Sequence, residues 1–262
     1  MTTITDLRDF KQRGERFAML TAYDALTARL LDEAGVPVLL VGDSLGQVVL
    51  GYDSTVPVTV EEMLHHTAAV ARGAKDALVV GDMPFGSYQA SVDDGMRNAF
   101  RFLKEARAHA VKLEGARTDL VAALVDAGVP VMGHLGLTPQ SVNQFGGYKV
   151  QGRGDEQRQQ IVRDAKALES AGAFAVVLEC VPRDLAAQIT SELSIPTIGI
   201  GAGPDCDGQV LVIQDLLGLS TGRLPRFVKR YADGAETLTA AAKLFLQEVA
   251  EGSFPGGEHS YE

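Results

Sequence analysis

Two aspartates stand at the ends of short apolar segments, where a buried charge needs a partner. Asp43 and Asp82 occur in the similar strings Val-Gly-Asp-Ser and Val-Gly-Asp-Met. A carboxylate in this position loses solvation and requires compensation. If the two segments are neighbouring parallel strands, about 4.8 Å apart, both carboxylates can share a hard cation. The alternative is that each aspartate caps the following helix or forms an ion pair at the strand end.

Lys112 and Glu114 are two positions apart, which places both side chains on one face of a strand. A lysine inside an apolar strand is unfavourable unless its ammonium group meets an anion. We therefore expect Lys112 to pair with the carboxylates, with an anionic substrate, or with both. Glu114 is then a third oxygen ligand or an outer acceptor, and the alternative is an ordinary loop carboxylate.

Three further side chains could act on a substrate. Glu179 stands in Val-Val-Leu-Glu-Cys-Val, the most apolar setting of any acid in the chain. This setting predicts a buried carboxyl group suited to a general base near neutral pH, and the alternative is a structural partner for an arginine or for Lys112. His134 either hydrogen-bonds a substrate oxygen or holds the glycine-rich stretch that follows it. Ser44 lacks the G-x-S-x-G setting of a hydrolase nucleophile, so a carboxylate-binding hydroxyl is its better role.

The segments that carry these residues have the pattern of buried parallel strands. They are short, rich in Val, Ile and Leu, and lack strict polar alternation. The predicted strands are 17–20, 38–41, 77–80, 110–113, 129–132, 174–178, 195–200 and 210–213.

Helix start signals lie between the predicted strands. Thr59 begins a capping box, and Asp24 is expected to cap a helix as well. The other predicted helices begin near Ser91, Asp155 and Pro182, and the last covers 235–251.

Alternating strands and helices build either an open doubly wound sheet or a closed barrel. Eight strands without a Pro-, Gly- or Ser-rich linker at mid-chain favour an α/β fold of the (β/α)8 barrel type, with one domain over 1–262. The polar stretch 136–154 is too long for a plain connector and is predicted to be a lid or binding loop. Because the carboxyl ends of barrel strands meet at one mouth, we expect the titratable residues to converge there.

Composition excludes several classes of protein. With 24 Lys and Arg against 34 Asp and Glu, the net charge of -10 disfavours nucleic acid and anionic membranes as partners. The two cysteines, Cys180 and Cys206, have no zinc-site spacing and suit a reducing cytoplasm. We find no signal-peptide core and no apolar run near the about 20 residues of a membrane span, so a cytoplasmic location is expected.

Several longer strings resemble the ketopantoate hydroxymethyltransferase family. The resemblance extends from about Phe17 to His259, with departures at Arg107 and Ala116, where the family often has glycine. The strings are GDSLG at 42–46, DMPF at 82–85, KLEG at 112–115, GHLGLTPQS at 133–141, FGGYKVQGR at 145–153, LECVP at 178–182 and GIGAG at 199–203.

The resemblance implies a TIM barrel of the phosphoenolpyruvate/pyruvate-binding type and an enzyme of pantothenate biosynthesis. The implied reaction transfers a hydroxymethyl group from 5,10-methylenetetrahydrofolate to 3-methyl-2-oxobutanoate and forms ketopantoate. Mg²⁺ and a homo-oligomer, often a decamer, are implied as well. The alternatives are a phosphoenolpyruvate mutase or isocitrate-lyase-like carbon–carbon lyase on the same barrel, and a catalytically silent metabolite-binding barrel.

Site roles are carried over position by position. Asp43 and Asp82 are implied to hold the metal, with Glu114 as a further or water-mediated ligand. Glu179 is implied to be the proton acceptor. The residues implied to contact the substrate are Asp43, Ser44, Asp82, Lys112 and His134.

Overall fold

Eight parallel strands close into a barrel. The computed structural model describes residues 1–222 and 224–261. The strands are β1 Phe17–Thr21, β2 Val38–Val41, β3 Leu78–Asp82, β4 Ala110–Glu114, β5 Val131–Gly136, β6 Ala175–Glu179, β7 Thr197–Ile200 and β8 Gly208–Leu211. Each pairs with the next along the chain, and β8 pairs with β1. The closed barrel is therefore confirmed, and the open doubly wound sheet is wrong.

Helices connect the strands. They are α1 Ile4–Arg13, α2 Ala25–Glu33, α3 Leu45–Val48, α4 Val60–Gly73, α5 Val92–Lys104, α6 Thr118–Asp126, α7 Val142–Phe145, α8 Asp155–Ser170 and α9 Arg183–Glu192, with a 3-10 turn at Pro139–Ser141. The predicted N-terminal signals act as expected. Thr59 forms a capping box with Glu62, and the side chains of Asp24 and Ser91 accept backbone hydrogen bonds at the starts of α2 and α5.

The barrel interior is filled by alternate residues of the strands. Leu7 of α1 joins this cluster, and Ile4 and Phe10 pack against it. The strand residues of the cluster include Phe17, Met19, Val38, Leu40, Leu78, Val80, Ala110, Met132, Ala175, Val177, Ile198 and Val210. Thr2, just before α1, donates to the carbonyl of Asp76 ahead of β3, and Lys11 of α1 donates to Asp207 ahead of β8. Helix α1 therefore covers the end of the barrel where the strands begin.

Two glycines let helices seat closely against the outside of the barrel. A Cβ at Gly81 would lie 2.5 Å from the ring of Phe102, and one at Gly133 would lie 2.8 Å from Leu168. Since side chains alternate along a strand, these outward glycines turn the next residues, Asp82 and His134, towards the interior.

The stretch 136–154 contains more local structure than a plain loop. After Gly136 it forms the 3-10 turn and α7, and it ends where α8 begins. Near its end, the backbone amide of Gln151 donates to the carbonyl of Cys180 at 2.9 Å. The stretch is thus tied to the end of β6, and its role as a lid stays a prediction.

The chain divides into two compact units, Met1–Val212 and Ile213–Glu262. All eight strands lie in the first unit. The second contains α10 Ile213–Leu216, α11 Gly234–Glu251 and a 3-10 turn at Gly257–His259, so the predicted final helix is confirmed within one residue. The expectation of a single domain over 1–262 stays a prediction. Within the described residues, no helix combines the length and apolar character needed to cross a membrane.

Candidate active site

The register of the barrel sets the predicted residues side by side. Asp82 on β3 is paired with Lys112 on β4, and Glu114 on β4 is paired with His134 on β5. Glu179 is the last residue of β6, the next strand around the barrel. The predicted convergence of these side chains at the carboxyl ends of the strands is therefore observed.

Asp82 and Lys112 form a buried ion pair. Lys112 Nζ donates to Asp82 Oδ2 at 2.5 Å, and both side chains are almost fully buried. Burial raises the pKa of Asp82 above its usual range, although Lys112 lowers it. Burial lowers the pKa of Lys112, but the charges of Asp82, Glu114 and Asp43 outweigh that effect and raise it. The expectation that Lys112 meets a carboxylate is confirmed.

Asp43 joins this pair from the end of β2. Its backbone amide donates to Asp82 Oδ2 at 3.4 Å, and its own Oδ2 accepts a hydrogen bond from Gln140 Nε2 at 2.9 Å. Burial, followed by the negative charges of Asp82 and Glu114, raises the pKa of Asp43 well above its usual value. Three buried carboxylates thus face one ammonium group, and the excess of negative charge suits a bound cation.

The donor atoms fit a hard divalent ion. Asp82 Oδ1 and Glu114 Oε1 are buried without a hydrogen-bond partner. In the part of the chain that the structure describes, no three His, Cys, Asp or Glu side chains form a complete metal site. Mg²⁺, however, keeps several waters and is commonly bound by one or two carboxylates together with substrate oxygens. Two aspartates with an outer glutamate meet that requirement.

His134 lies between two carboxylates. Its Nδ1 is 3.5 Å from Glu114 Oε1 and its Nε2 is 3.2 Å from Glu179 Oε2, although neither contact has the angles of a hydrogen bond. Burial and the charge of Lys112 lower the pKa of His134, but the two flanking carboxylates raise it to about 9 overall. The imidazole is therefore charged at neutral pH and can donate from both nitrogens.

Glu179 is the most accessible acid of the group. Its side chain is 17% exposed, whereas those of Asp82 and Glu114 are at most 3% exposed. The expectation of a buried carboxyl group at Glu179 is wrong, because β6 ends at this residue and the side chain is partly exposed. Cys180 follows with φ 48, a left-handed conformation that is unusual for a residue other than glycine and is often found at functional sites. Among the residues that the structure describes, the charged partner of Glu179 is His134 and not an arginine or Lys112.

Ser44 lies beside the cluster with its hydroxyl group bonded to a tyrosine. It precedes α3 but makes no side-chain capping bond, and its Oγ is 2.9 Å from the hydroxyl of Tyr23. The backbone carbonyl of Tyr23 in turn accepts a hydrogen bond from His66 Nδ1 at 2.7 Å. Tyr23 and His66 therefore position Ser44, a role that the sequence did not indicate.

Two residues that carry part of the site were missed. Gln140 donates to Asp43 and, through its backbone amide, to Glu114, while Tyr88 donates to the side chain of Gln140. Gln140 stands in the string GHLGLTPQS, but a neutral amide gives no charge signal in a sequence.

Comparison with known sequences indicates a single enzyme family. A family profile described as ketopantoate hydroxymethyltransferase matches residues 1–257. A protein named 3-methyl-2-oxobutanoate hydroxymethyltransferase from Syntrophus aciditrophicus (strain SB) is 59% identical over 261 residues, which cover 99% of this chain and 96% of that protein. A protein of the same name from Thermobifida fusca (strain YX) is 60% identical over 261 residues, covering 99% of this chain and 93% of that protein.

Solved structures with more distant sequences share the fold. Phosphonopyruvate hydrolase, in a complex with oxalate and Mg²⁺, has a TM-score of 0.63 at 16% identity, with 99% of this chain and 93% of that chain covered. A 2,3-dimethylmalate lyase, described as a member of the PEP mutase/isocitrate lyase superfamily, has a TM-score of 0.59 at 17% identity, with 100% and 92% covered. These likenesses confirm the predicted type of barrel and, at such identity, show the fold alone.

Proposed function

This chain belongs to the ketopantoate hydroxymethyltransferase family, and we propose that the mouth of its barrel performs that reaction with Mg²⁺ and 5,10-methylenetetrahydrofolate. The chain is an enzyme that adds a hydroxymethyl group to 3-methyl-2-oxobutanoate and forms ketopantoate. The observation that carries our assignment of the site is the convergence of three carboxylates, Lys112 and the Glu114–His134–Glu179 row at the carboxyl ends of β2 to β6.

Asp43 and Asp82 would hold Mg²⁺ in this site. Each has one carboxylate oxygen fixed by a donor, Gln140 for Asp43 and Lys112 for Asp82. Glu114 is held by Gln140 and lies near His134, which suits an outer acceptor that binds a metal-coordinated water. When bound, the ion would polarise the keto group and stabilise the negative charge that develops as C3 loses its proton.

Lys112, Ser44 and His134 would bind the keto acid. The substrate is an anion, so it enters an acidic mouth only where positive charge offsets the carboxylates. The Lys112 ammonium group and the charged His134 imidazole supply that charge, and the Ser44 hydroxyl group adds a hydrogen-bond donor. Asp43 and Asp82 border the same space and would contact the substrate on its metal side.

Glu179 would accept the proton from C3. It is the one acid of the group that is partly exposed, and its Oε2 lies 3.2 Å from His134 Nε2, so the imidazole can orient the carboxylate. Once the proton is on Glu179, C3 forms a bond to the methylene carbon of the folate donor as the bond from that carbon to one folate nitrogen breaks. Water then replaces the second folate nitrogen on that carbon and supplies the hydroxyl group of the product. Tetrahydrofolate leaves with two added protons, one from water and one equivalent to the proton taken from C3.

The stretch 136–154 would close over the bound substrates. It contains Gln140, which contacts Asp43, and near its end it is bonded to Cys180, which follows the proposed base. Burial and the nearby charges of Glu179 and Asp43 raise the pKa of Tyr148, which is in the middle of the stretch. Excluding bulk water would protect the reactive form of the one-carbon donor from hydrolysis.

The lyase alternative has less support. Carbon–carbon lyases of this barrel commonly use a catalytic cysteine in a K-K-C-G-H-type loop, and neither Cys180 nor Cys206 has such surroundings. Burial and the charge of Glu179 raise the pKa of Cys180 to about 12, which disfavours a thiolate. The lyases and mutases are also only distant structural relatives of this chain.

We also propose that the enzyme is a cytoplasmic homo-oligomer. The family resemblance supports a homo-oligomer, with a decamer as the specific prediction. The free thiols of Cys180 and Cys206 support a reducing compartment.

The proposal is tested by incubating the protein with 3-methyl-2-oxobutanoate, 5,10-methylenetetrahydrofolate and Mg²⁺ and measuring products by NMR. We expect ketopantoate to form at a rate that depends on both the metal and the folate, and to be abolished in Asp82→Asn. Absence of ketopantoate from the wild-type reaction would contradict the proposed reactants. Turnover without any divalent ion would contradict the proposed requirement for Mg²⁺.

A further inference from the structure

Gln140 is the centre of a hydrogen-bond network beside the proposed metal site. It is 4% exposed and belongs to the 3-10 turn after β5. Its backbone amide donates to Glu114 Oε2 at 3.0 Å. Its side-chain Nε2 donates to Asp43 Oδ2 and to the carbonyl of Met83, both at 2.9 Å. One residue thus fixes carboxylates at the ends of two strands.

The orientation of the Gln140 amide is set by its neighbours. The hydroxyl group of Tyr88 accepts from the backbone amide of Glu114 at 3.0 Å and donates to Gln140 Oε1 at 2.7 Å. Gln89 Nε2 donates to the same oxygen at 3.0 Å. Because the Met83 carbonyl can only accept, Nε2 must be the atom that faces it and Asp43.

This arrangement leaves one oxygen of each carboxylate without a hydrogen bond from Gln140 or Lys112. Glu114 Oε2 is held by Gln140, and Glu114 Oε1 is buried without a hydrogen-bond partner. In Asp82, likewise, Oδ2 accepts a hydrogen bond from Lys112, whereas Oδ1 is buried without a hydrogen-bond partner. For Asp43, Gln140 holds Oδ2 and leaves Oδ1 outside this contact.

We propose that Gln140 is a positioning residue for the metal, which orients Asp43 and Glu114 through a neutral amide whose direction Tyr88 sets. The inference rests on the proposed function, since it requires that a divalent ion bind at these carboxylates. In other metal sites, loss of a group that orients the metal-binding side chains commonly weakens metal binding by about 10- to 100-fold. Gln140 also belongs to the 136–154 stretch, so the same contacts link the metal site to the predicted lid.

A neutral donor is required at this position because the site already has an excess of negative charge. A glutamate at position 140 would place an acceptor against the Met83 carbonyl and add a fourth carboxylate beside Asp43. Methionine has a similar size and no donor, so Gln140→Met removes the two side-chain donations while filling the same space. Gln144 lies in the same stretch and is exposed, so Gln144→Met is a matched control.

The test measures Mn²⁺ binding to chelator-treated protein by electron paramagnetic resonance, without substrate. We expect Gln140→Met to bind Mn²⁺ about 10- to 100-fold more weakly than the wild type, and Gln144→Met to match the wild type. Because the defect lies in metal affinity, excess Mg²⁺ should restore most of the kcat of Gln140→Met. Tyr88→Phe keeps the aromatic ring and should also weaken Mn²⁺ binding. The variant that combines Gln140→Met with Tyr88→Phe should bind Mn²⁺ only slightly more weakly than Gln140→Met alone.

The outcomes separate this inference from the proposed function. Wild-type Mn²⁺ affinity in both Gln140→Met and Tyr88→Phe would overturn the positioning role and leave the proposed function intact. A wild-type protein that binds no Mn²⁺ would overturn the metal site and this inference with it. If Gln140→Met fails to fold, Tyr88→Phe decides: reduced affinity supports the role, and unchanged affinity overturns it.

Discussion

The Nε2 atom of His134 lies 3.2 Å from Oε2 of Glu179, which joins the ends of two neighbouring strands at the barrel mouth. The contact couples the proposed proton acceptor to a charged group that Glu114 approaches from the other side. His134 can therefore orient Glu179 in the free enzyme and donate to substrate oxygens once the keto acid is bound.

The raised pKa of His134 predicts a loss of stability in alkaline solution. Its folded-state pKa of about 9 exceeds the ordinary value of 6.5, so its contribution is complete below pH 6.5 and is lost as the pH rises through 9. We compare the wild type with His134→Asn in the presence of a metal chelator. Between pH 6.5 and 9.5, the free energy of unfolding of the wild type should fall by about 2 kcal/mol more than that of the variant. Urea denaturation at both pH values measures this difference, and equal losses in the two proteins would refute it.

The buried ion pair predicts a strong dependence of stability on Lys112. Lys112→Met would leave Asp82 buried without its counter-charge, which typically costs about 3 kcal/mol or more. Adding Asp82→Asn removes the orphaned charge, so we expect the double variant to be more stable than Lys112→Met alone. Urea denaturation in chelator tests this order, and a double variant less stable than the single one would contradict the account.

The environment of Cys180 predicts low thiol reactivity. Burial and the charge of Glu179 raise its pKa to about 12, so only a very small fraction is thiolate at pH 8. We expect iodoacetamide to label Cys180 in the native protein at least about 100-fold more slowly than in the urea-unfolded protein. Mass spectrometry of tryptic peptides measures both rates. Fast native labelling at Cys180 would contradict the low reactivity and would support cysteine-based chemistry at the site.

The backbone conformation of Arg107, which lies outside the site, predicts that a glycine there would stabilise the protein. It is exposed and has φ 62, a left-handed conformation that costs a residue with a Cβ about 1 kcal/mol. The sequence resemblance had marked this position as one where glycine is common. Arg107→Gly should therefore raise the free energy of unfolding by up to about 1 kcal/mol, whereas Arg107→Ala should leave the strain in place. A destabilised glycine variant would show that the arginine side chain compensates for its backbone.

Much of the fold was predictable because its signals are local. Each strand is a short apolar run, and helix starts such as Thr59 and Ser91 carry their capping side chains within three residues. The convergence of Asp82 and Lys112 followed from barrel topology, since parallel strands present their carboxyl ends at one mouth.

The features that the sequence did not predict depend on contacts across long separations. Gln140 and Asp43 are 97 positions apart, and no local pattern shows that they meet. The exposure of Glu179 was mispredicted because neighbouring apolar residues report on the strand and not on how far its last side chain reaches. Tyr88 was missed because its hydroxyl group acts only through Gln140 and Glu114.

The most direct test of the central claim is exchange of the C3 proton of 3-methyl-2-oxobutanoate, followed by NMR in deuterated water with Mg²⁺ and without folate. We expect the wild type to catalyse exchange only with the metal present. Glu179→Gln should slow exchange by at least about 100-fold. Glu156→Gln, an exposed glutamate on α8, should exchange at the wild-type rate. Wild-type exchange in Glu179→Gln would contradict the assignment of Glu179 as the proton acceptor.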